Sequence, residues 1–198
     1  MRYSIFICLV VAFGLVGTGC VNSRPIHYYM IETPSAPKAP SADGPVLVVT
    51  TVSVPVALQD GRIRYRTGSN EAGAYEFHRW MERPGTMVTT SLVHALRASG
   101  KYRRVVEASS SAAGDYVLRG KLYEFDEVDR DRIQTRISLQ IELVDMKTKR
   151  DVWDHLVERE EPVTSKNVSE VVQSLERNLA HVANEAAVEI DKFLSANH

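Results

Sequence analysis

Beyond position 20 the sequence contains no cysteine; its two are Cys8 and Cys20. The body of the chain therefore holds no disulfide framework, no thiolate zinc site and no cysteine nucleophile. Excess charge of one sign is also missing, since 24 basic and 25 acidic residues leave a net charge of -1. That excludes the basic field of a nucleic-acid surface and the acidic run of a solvating tail. The sequence has no G-x-S-x-G elbow, no G-x-G-x-x-G, no P-loop and no H-E-x-x-H. The six histidines (His27, His78, His94, His155, His181 and His198) fall on separate segments, with no pair at metal-ligand spacing. His78, beside Arg79 and Glu82, reads as a surface or hydrogen-bonded histidine. "DEVDRDR" (Asp126 to Arg132) lacks the glycine and distal glutamate of a calcium loop, and its arginines oppose a dication. It reads as a solvated hairpin tip. No metal, no cofactor and no catalytic residue is expected, so the chain is not read as an enzyme.

What is present begins with an address. Met1-Arg2 precedes the uncharged run "SIFICLVVAFGLVG", which the small residues of "TGC" close. This is the layout of a secretory signal peptide over residues 1–19. The run falls short of the ~20 apolar residues that span a bilayer. "LVGTGC" (Leu15 to Cys20) is similar to a bacterial lipobox, with Gly17 where leucine is usual. Cys20 is the expected lipidation site, its thiol diacylated and its amine acylated with chains such as palmitate. Three chains exceed the two signals that stable anchoring requires. Val21 follows where an aspartate would favour inner-membrane retention, so the expected location is the outer membrane, facing the periplasm.

Residues 20–44 read as the lipidated N-terminus, a short strand and a tether. "HYYMI" (His27 to Ile31) is strand-like and is expected to pair with the domain, with the proline-rich Thr33 to Pro45, which has no large apolar residue to bury, as a loop. Residues 45–198 read as one folded domain; 44% hydrophobic content suits a single core. "VLVVTTVSVPVAL" (Val46 to Leu58) reads as a buried central strand ended by Pro55. "GRIRYRTG" and "AYEFHRW" form a hairpin across "TGSNEAG". Helical spacing from Thr86 to Ser99 ends at Gly100. "YRRVVE" is a short strand.

A three-strand antiparallel meander follows: Asp115 to Val128, Arg132 to Val144 and Val152 to Glu160. Its middle strand alternates strictly. Ile133, Ile137, Leu139, Ile141 and Leu143 share one face; Gln134, Arg136, Ser138, Gln140 and Glu142 share the other. The polar face meets solvent or a partner. Asn167 and Glu170 cap a long amphipathic helix running to the C-terminus. The expected fold class is α/β: a single domain with a mixed, largely antiparallel sheet of about seven strands, packed by two helices. Trp80 and Trp153 are the large aromatic candidates for an interface, with core packing as the alternative for each.

Several stretches together resemble the ABC-type transport auxiliary lipoprotein family, which includes the paraquat-inducible lipoprotein of mammalian-cell-entry (MCE) lipid-transport systems. They are "HYYMI" after the lipobox, "LVVTTVSVPVALQDGRIRYRTGSNEAGAYEFHRWMERPG", "ASGKYRRVV", "DYVLRGKLYEFD" and "VWDHLVEREEPV" before a terminal helix. The resemblance implies a non-enzymatic accessory of an envelope ABC transporter, docking a periplasmic MCE-protein conduit at the outer membrane. Its implied partners are the conduit, the permease and ATPase, and other copies of itself. Only Cys20 carries over as a functional position. A stand-alone outer-membrane scaffold is the alternative.

Overall fold

The computed structural model describes residues 24–32, 38–68, 70–109 and 112–197. The signal peptide and Cys20 lie outside the described residues.

Eight strands and two helices follow one another as β1 (His27–Tyr29), β2 (Val46–Val49), β3 (Arg62–Thr67), β4 (Glu71–Trp80), α1 (Pro84–Ser99), β5 (Arg104–Glu107), β6 (Tyr116–Asp129), β7 (Ile133–Asp145), β8 (Arg150–Pro162) and α2 (Val168–Ala196). All strands join one mixed sheet. β6 is its spine. One edge of β6 pairs with β7 along nearly its whole length, and β7 pairs with β8. The other edge is shared: β2 pairs in parallel with Tyr116–Leu118 and β3 in parallel with residues 126–129. β5 extends the sheet beyond β2; β4 and then β1 extend it beyond β3. The long ladders are antiparallel, and the parallel ones are short.

The alternation in β7 sets the layers. Thr135, Ile137, Leu139, Ile141 and Leu143 are buried with Phe125, Leu118 and Leu122 of β6. Over them lie Val88, Leu92 and Leu96 of α1 and Val171, Leu175, Leu179, Val182, Ala186 and Ile190 of α2, in one continuous core. Both helices therefore cover the same sheet face. Each begins and ends as local chemistry dictates. Pro84 opens α1, where a missing N–H costs nothing, and Gly100 closes it at φ 73°. Asn167 caps α2 by accepting from the Glu170 N–H at 2.9 Å. The reciprocal half of the expected box is absent, because Glu170 Oε2 accepts from the Thr164 hydroxyl instead.

Two expectations need correction. Val46 to Leu58 is not one strand. β2 stops at Val49, since β3 takes over that edge of β6 past the bulge between Leu122 and Glu124. The chain still leans on β6, with Ser53 N donating to Gly120 O and Leu122 N to Ser53 O, both at 2.9 Å. Pro55 then leads into a 3-10 turn over Val56–Leu58. Second, "DEVDRDR" is not all hairpin tip: Asp126 and Glu127 are buried within β6, at 4% and 3% exposure. The expected pairing of the His27 to Ile31 segment with the domain is seen in β1, which pairs with β4, so the proline-rich stretch lies between two strands of the domain in sequence. Its described end is held: Ser41 N donates to Tyr102 O and Arg103 N to Pro45 O, both at 3.1 Å.

Candidate functional site

On the sheet face away from the helices, side-chain alternation places the polar residues of β7. Arg136 stands at its centre. Its guanidinium reaches Glu124 at 2.5 Å, Glu158 at 3.2 Å and Glu160 at 3.3 Å, on both neighbouring strands. Those carboxylates offset the cost of partial burial and raise the arginine's pKa further. Ser138 donates to Glu158 at 3.1 Å, and Gln140 Nε2 to Asp154 at 3.1 Å. The face is thus polar but roofed by its own ion pairs: Ser138 is buried and Gln134, Arg136, Gln140 and Glu142 are half-buried.

Next to it, Asp126 sits beneath two arginines of β3. Arg66 Nε donates to its Oδ2 at 2.8 Å, and Arg64 Nε stands 4.0 Å from Oδ1. Burial pushes this carboxyl above the usual range against the pull of both arginines. The Asp126 Oδ1 atom is buried without a hydrogen bond among the described residues. Tyr75 donates to Glu127 Oε2 at 2.6 Å on the helix side, and burial holds Glu127 above its ordinary range. Around Tyr75 runs an aromatic chain. It contacts the Tyr65 ring edge-on at 5.2 Å and His78 at 5.8 Å, and His78 stacks on His27 at 5.2 Å. The Tyr29 hydroxyl meets His78 Nδ1 at 2.9 Å, so these rings fix β1 on β4.

A cleft of about 760 Å³ opens at the sheet end where both helices finish, with Tyr102, Asp191, Arg103 and Asp115 among its walls. Its charges are mostly spent internally. Asp115 accepts from Val46 N at 2.7 Å and faces Arg103 at 3.7 Å, and Tyr102 binds Asp191. Among the described residues no group of three His, Cys, Asp or Glu could hold a metal ion. No helix of the described residues is long and apolar enough to cross a membrane.

The two tryptophans part company. Trp80 is 5% exposed, meets Phe125 edge-on at 5.6 Å and belongs to the core, so it offers no free surface. Trp153 is half-buried on β8, stacked against His155 at 5.7 Å and beside Phe193 of α2 at 6.2 Å. The Asp126–Arg66 and Tyr75–Glu127 pairs escaped the sequence reading. The one available signal was "RIRYR", whose arginines alternate like the acids of "YEFDEV".

This arrangement has known parallels. A crystal structure of a protein from Xanthomonas campestris superposes with a TM-score of 0.75 at 20% identity, covering 87% of this chain and 99% of that one. A second, of an uncharacterized protein, superposes with a TM-score of 0.67 at 20% identity, covering 84% and 99%. These likenesses establish the shared fold. No curated protein matches the chain. The profile of the ABC-type transport auxiliary lipoprotein components matches residues 29–187, from β1 well into α2. The chain belongs to this family of ABC-type transport auxiliary lipoprotein components.

Proposed function

We propose that this protein is the lipid-anchored, periplasm-facing accessory of an MCE-like envelope lipid-transport system. In this reading acylated Cys20 holds it in the outer membrane and the folded domain docks the transport conduit, without catalysing a reaction. The observation that carries the reading is the family match over residues 29–187, which begins nine residues after the lipobox-like cysteine. The polar face around Arg136, held by Glu124, Glu158 and Glu160, supplies a preordered charged surface suited to docking.

The test is a pull-down of the C-terminally tagged full chain from mildly solubilised and crosslinked envelopes. An MCE-domain protein with its permease and ATPase in the eluate is the expected result. Neither appearing under several mild detergents would overturn the transport role and leave the stand-alone scaffold.

A further inference from the structure

β1 is an edge strand, paired with β4 on one side only among the described residues. Along it the side chains divide. Tyr29 turns inward and packs on the core. Tyr28 turns outward, as do Ile26 and Met30 by alternation. All three are exposed, at 44% for Ile26 and 60% for Tyr28 and Met30. Met81, whose N–H donates to Tyr29 O at 2.7 Å, is 60% exposed at the same edge. Scattered exposed hydrophobics need no explanation, but four large ones at one unpaired sheet edge do.

Arg79 stands opposite Tyr28 in the β1–β4 register. Its Nε is buried and has no hydrogen-bond partner, and it enters no ion pair among the described residues. An arginine that enters no ion pair among the described residues, set beside an apolar strip, is suited to a phosphate diester above hydrocarbon. The arginine stem lies along the apolar surface while the head seeks the anion. Tyrosine, with an apolar ring and a polar tip, favours the same zone.

Distance selects the occupant. Six Cα-to-Cα steps lead from Cys20 to Ile26. Even fully extended they reach about 20 Å. Because β1 is docked, the proline-rich stretch after it adds nothing to that leash. A domain held so closely by acyl chains at Cys20 must present the neighbourhood of β1 to the bilayer. We infer that Ile26, Tyr28, Met30 and Met81 form a membrane-contact strip that enters the phospholipid interface, with Arg79 meeting a lipid phosphate. The strip turns a single-point anchor into an oriented one. This inference rests on the reading of Cys20 as the lipidated residue.

The experiment uses the mature full chain purified from a lipoprotein-processing bacterium and placed in vesicles of phosphatidylethanolamine and phosphatidylglycerol. The acylated mature chain has no free thiol, so Met30→Cys, Met81→Cys or Val188→Cys each gives one site for a nitroxide. Val188, 50% exposed on α2, reports the opposite layer. Power saturation is then compared between oxygen, which enters the bilayer, and a water-soluble nickel chelate. At positions 30 and 81 the oxygen-to-chelate ratio should exceed that at 188 severalfold. Ratios equal to that at 188 on a chain whose mass confirms acylation would overturn the strip and leave the anchor intact. Labels at 30 and 81 shielded from both reagents would also overturn it, by showing a protein covering the edge. A mature chain without acyl mass at Cys20 would remove the anchor reading and the strip together.

Discussion

The Tyr102 hydroxyl donates to Asp191 Oδ1 at 2.6 Å, with both side chains buried. The bond joins the segment just past α1 to the last turns of α2, at the wall of the end cleft. Burial, then the hydrogen bond and charge of Asp191, hold the phenol far above the ordinary tyrosine range. Tyr102→Phe leaves the carboxylate buried without its donor. It is expected to lower stability by about 1–3 kcal/mol. Tyr102→Phe/Asp191→Asn should be more stable than Tyr102→Phe alone, because the stranded charge is gone. Urea midpoints of the three proteins decide it. A double variant less stable than the single would mean that cleft water already serves the carboxylate.

Arg136 and Arg119 separate a structural ion pair from an incidental one. The Arg136 side chain is 33% exposed and holds three glutamates, one of which, Glu124, is 19% exposed. Arg119 reaches Asp151 at 3.8 Å with more than half of each side chain exposed. Arg136→Gln removes the counter-charge from three acids and should cost about 1–3 kcal/mol. Arg119→Gln should cost under about 0.5 kcal/mol. Thermal unfolding at low and at high salt checks both. The penalty at Arg136 should shrink in salt as screening relieves the stranded glutamates.

The elements whose periodicity is set by one buried face were legible. β7 shows this best: the odd positions from Thr135 to Leu143 are buried, and Arg136, Ser138 and Gln140 between them join the polar network. The Asn167 cap and the Gly100 stop were legible because backbone chemistry there is local. The end of β2 was not, because a run of β-branched residues cannot reveal that β3 will claim the same edge of β6. Nor could Asp126 be recognised as buried. Its partners Arg64 and Arg66 lie some sixty positions away, and only the parallel β3–β6 register brings them together. Trp80 and Trp153 looked equivalent in sequence; which one the core consumed depended on the partner Phe125.

His78 gives the β1–β4 contact a pH dependence. Burial, then the neighbouring His27, lowers its pKa below the histidine reference. The fold therefore prefers neutral imidazole. That contribution is present above the unfolded pKa and is lost as pH falls through the lower, folded one. Asp126 and Glu127, raised by burial, act in the opposite sense, so the test is a difference. Relative to His78→Gln, the natural protein should lose stability as pH drops below about 6.5. The protection factor of the Met81 amide, whose N–H binds Tyr29 O, should fall over the same range. A pH-independent difference would show that folding leaves the His78 pKa unchanged.

Gly85 sets how closely α1 approaches the strand-like segment after β2. A Cβ there would stand 2.5 Å from Val52 O and 3.1 Å from Val54 Cγ1. One turn along, Thr89 Oγ1 accepts from Val52 N at 2.9 Å and donates to Gly85 O at 2.7 Å. Alanine is the better helix former by about 1 kcal/mol. That gain should be outweighed, because the clash is with a backbone carbonyl that Thr89 holds in place. Gly85→Ala is expected to cost about 1–3 kcal/mol net. Thr89→Val strands the buried Val52 N–H and should cost a similar amount. It also frees the segment to move away from the helix, so the two losses should not add. A double-mutant cycle by chemical denaturation should return a coupling of at least about 0.5 kcal/mol in the favourable direction. Strict additivity would mean that the segment is held elsewhere, through the Ser53–Gly120 bond, and that Thr89 only fills its donor.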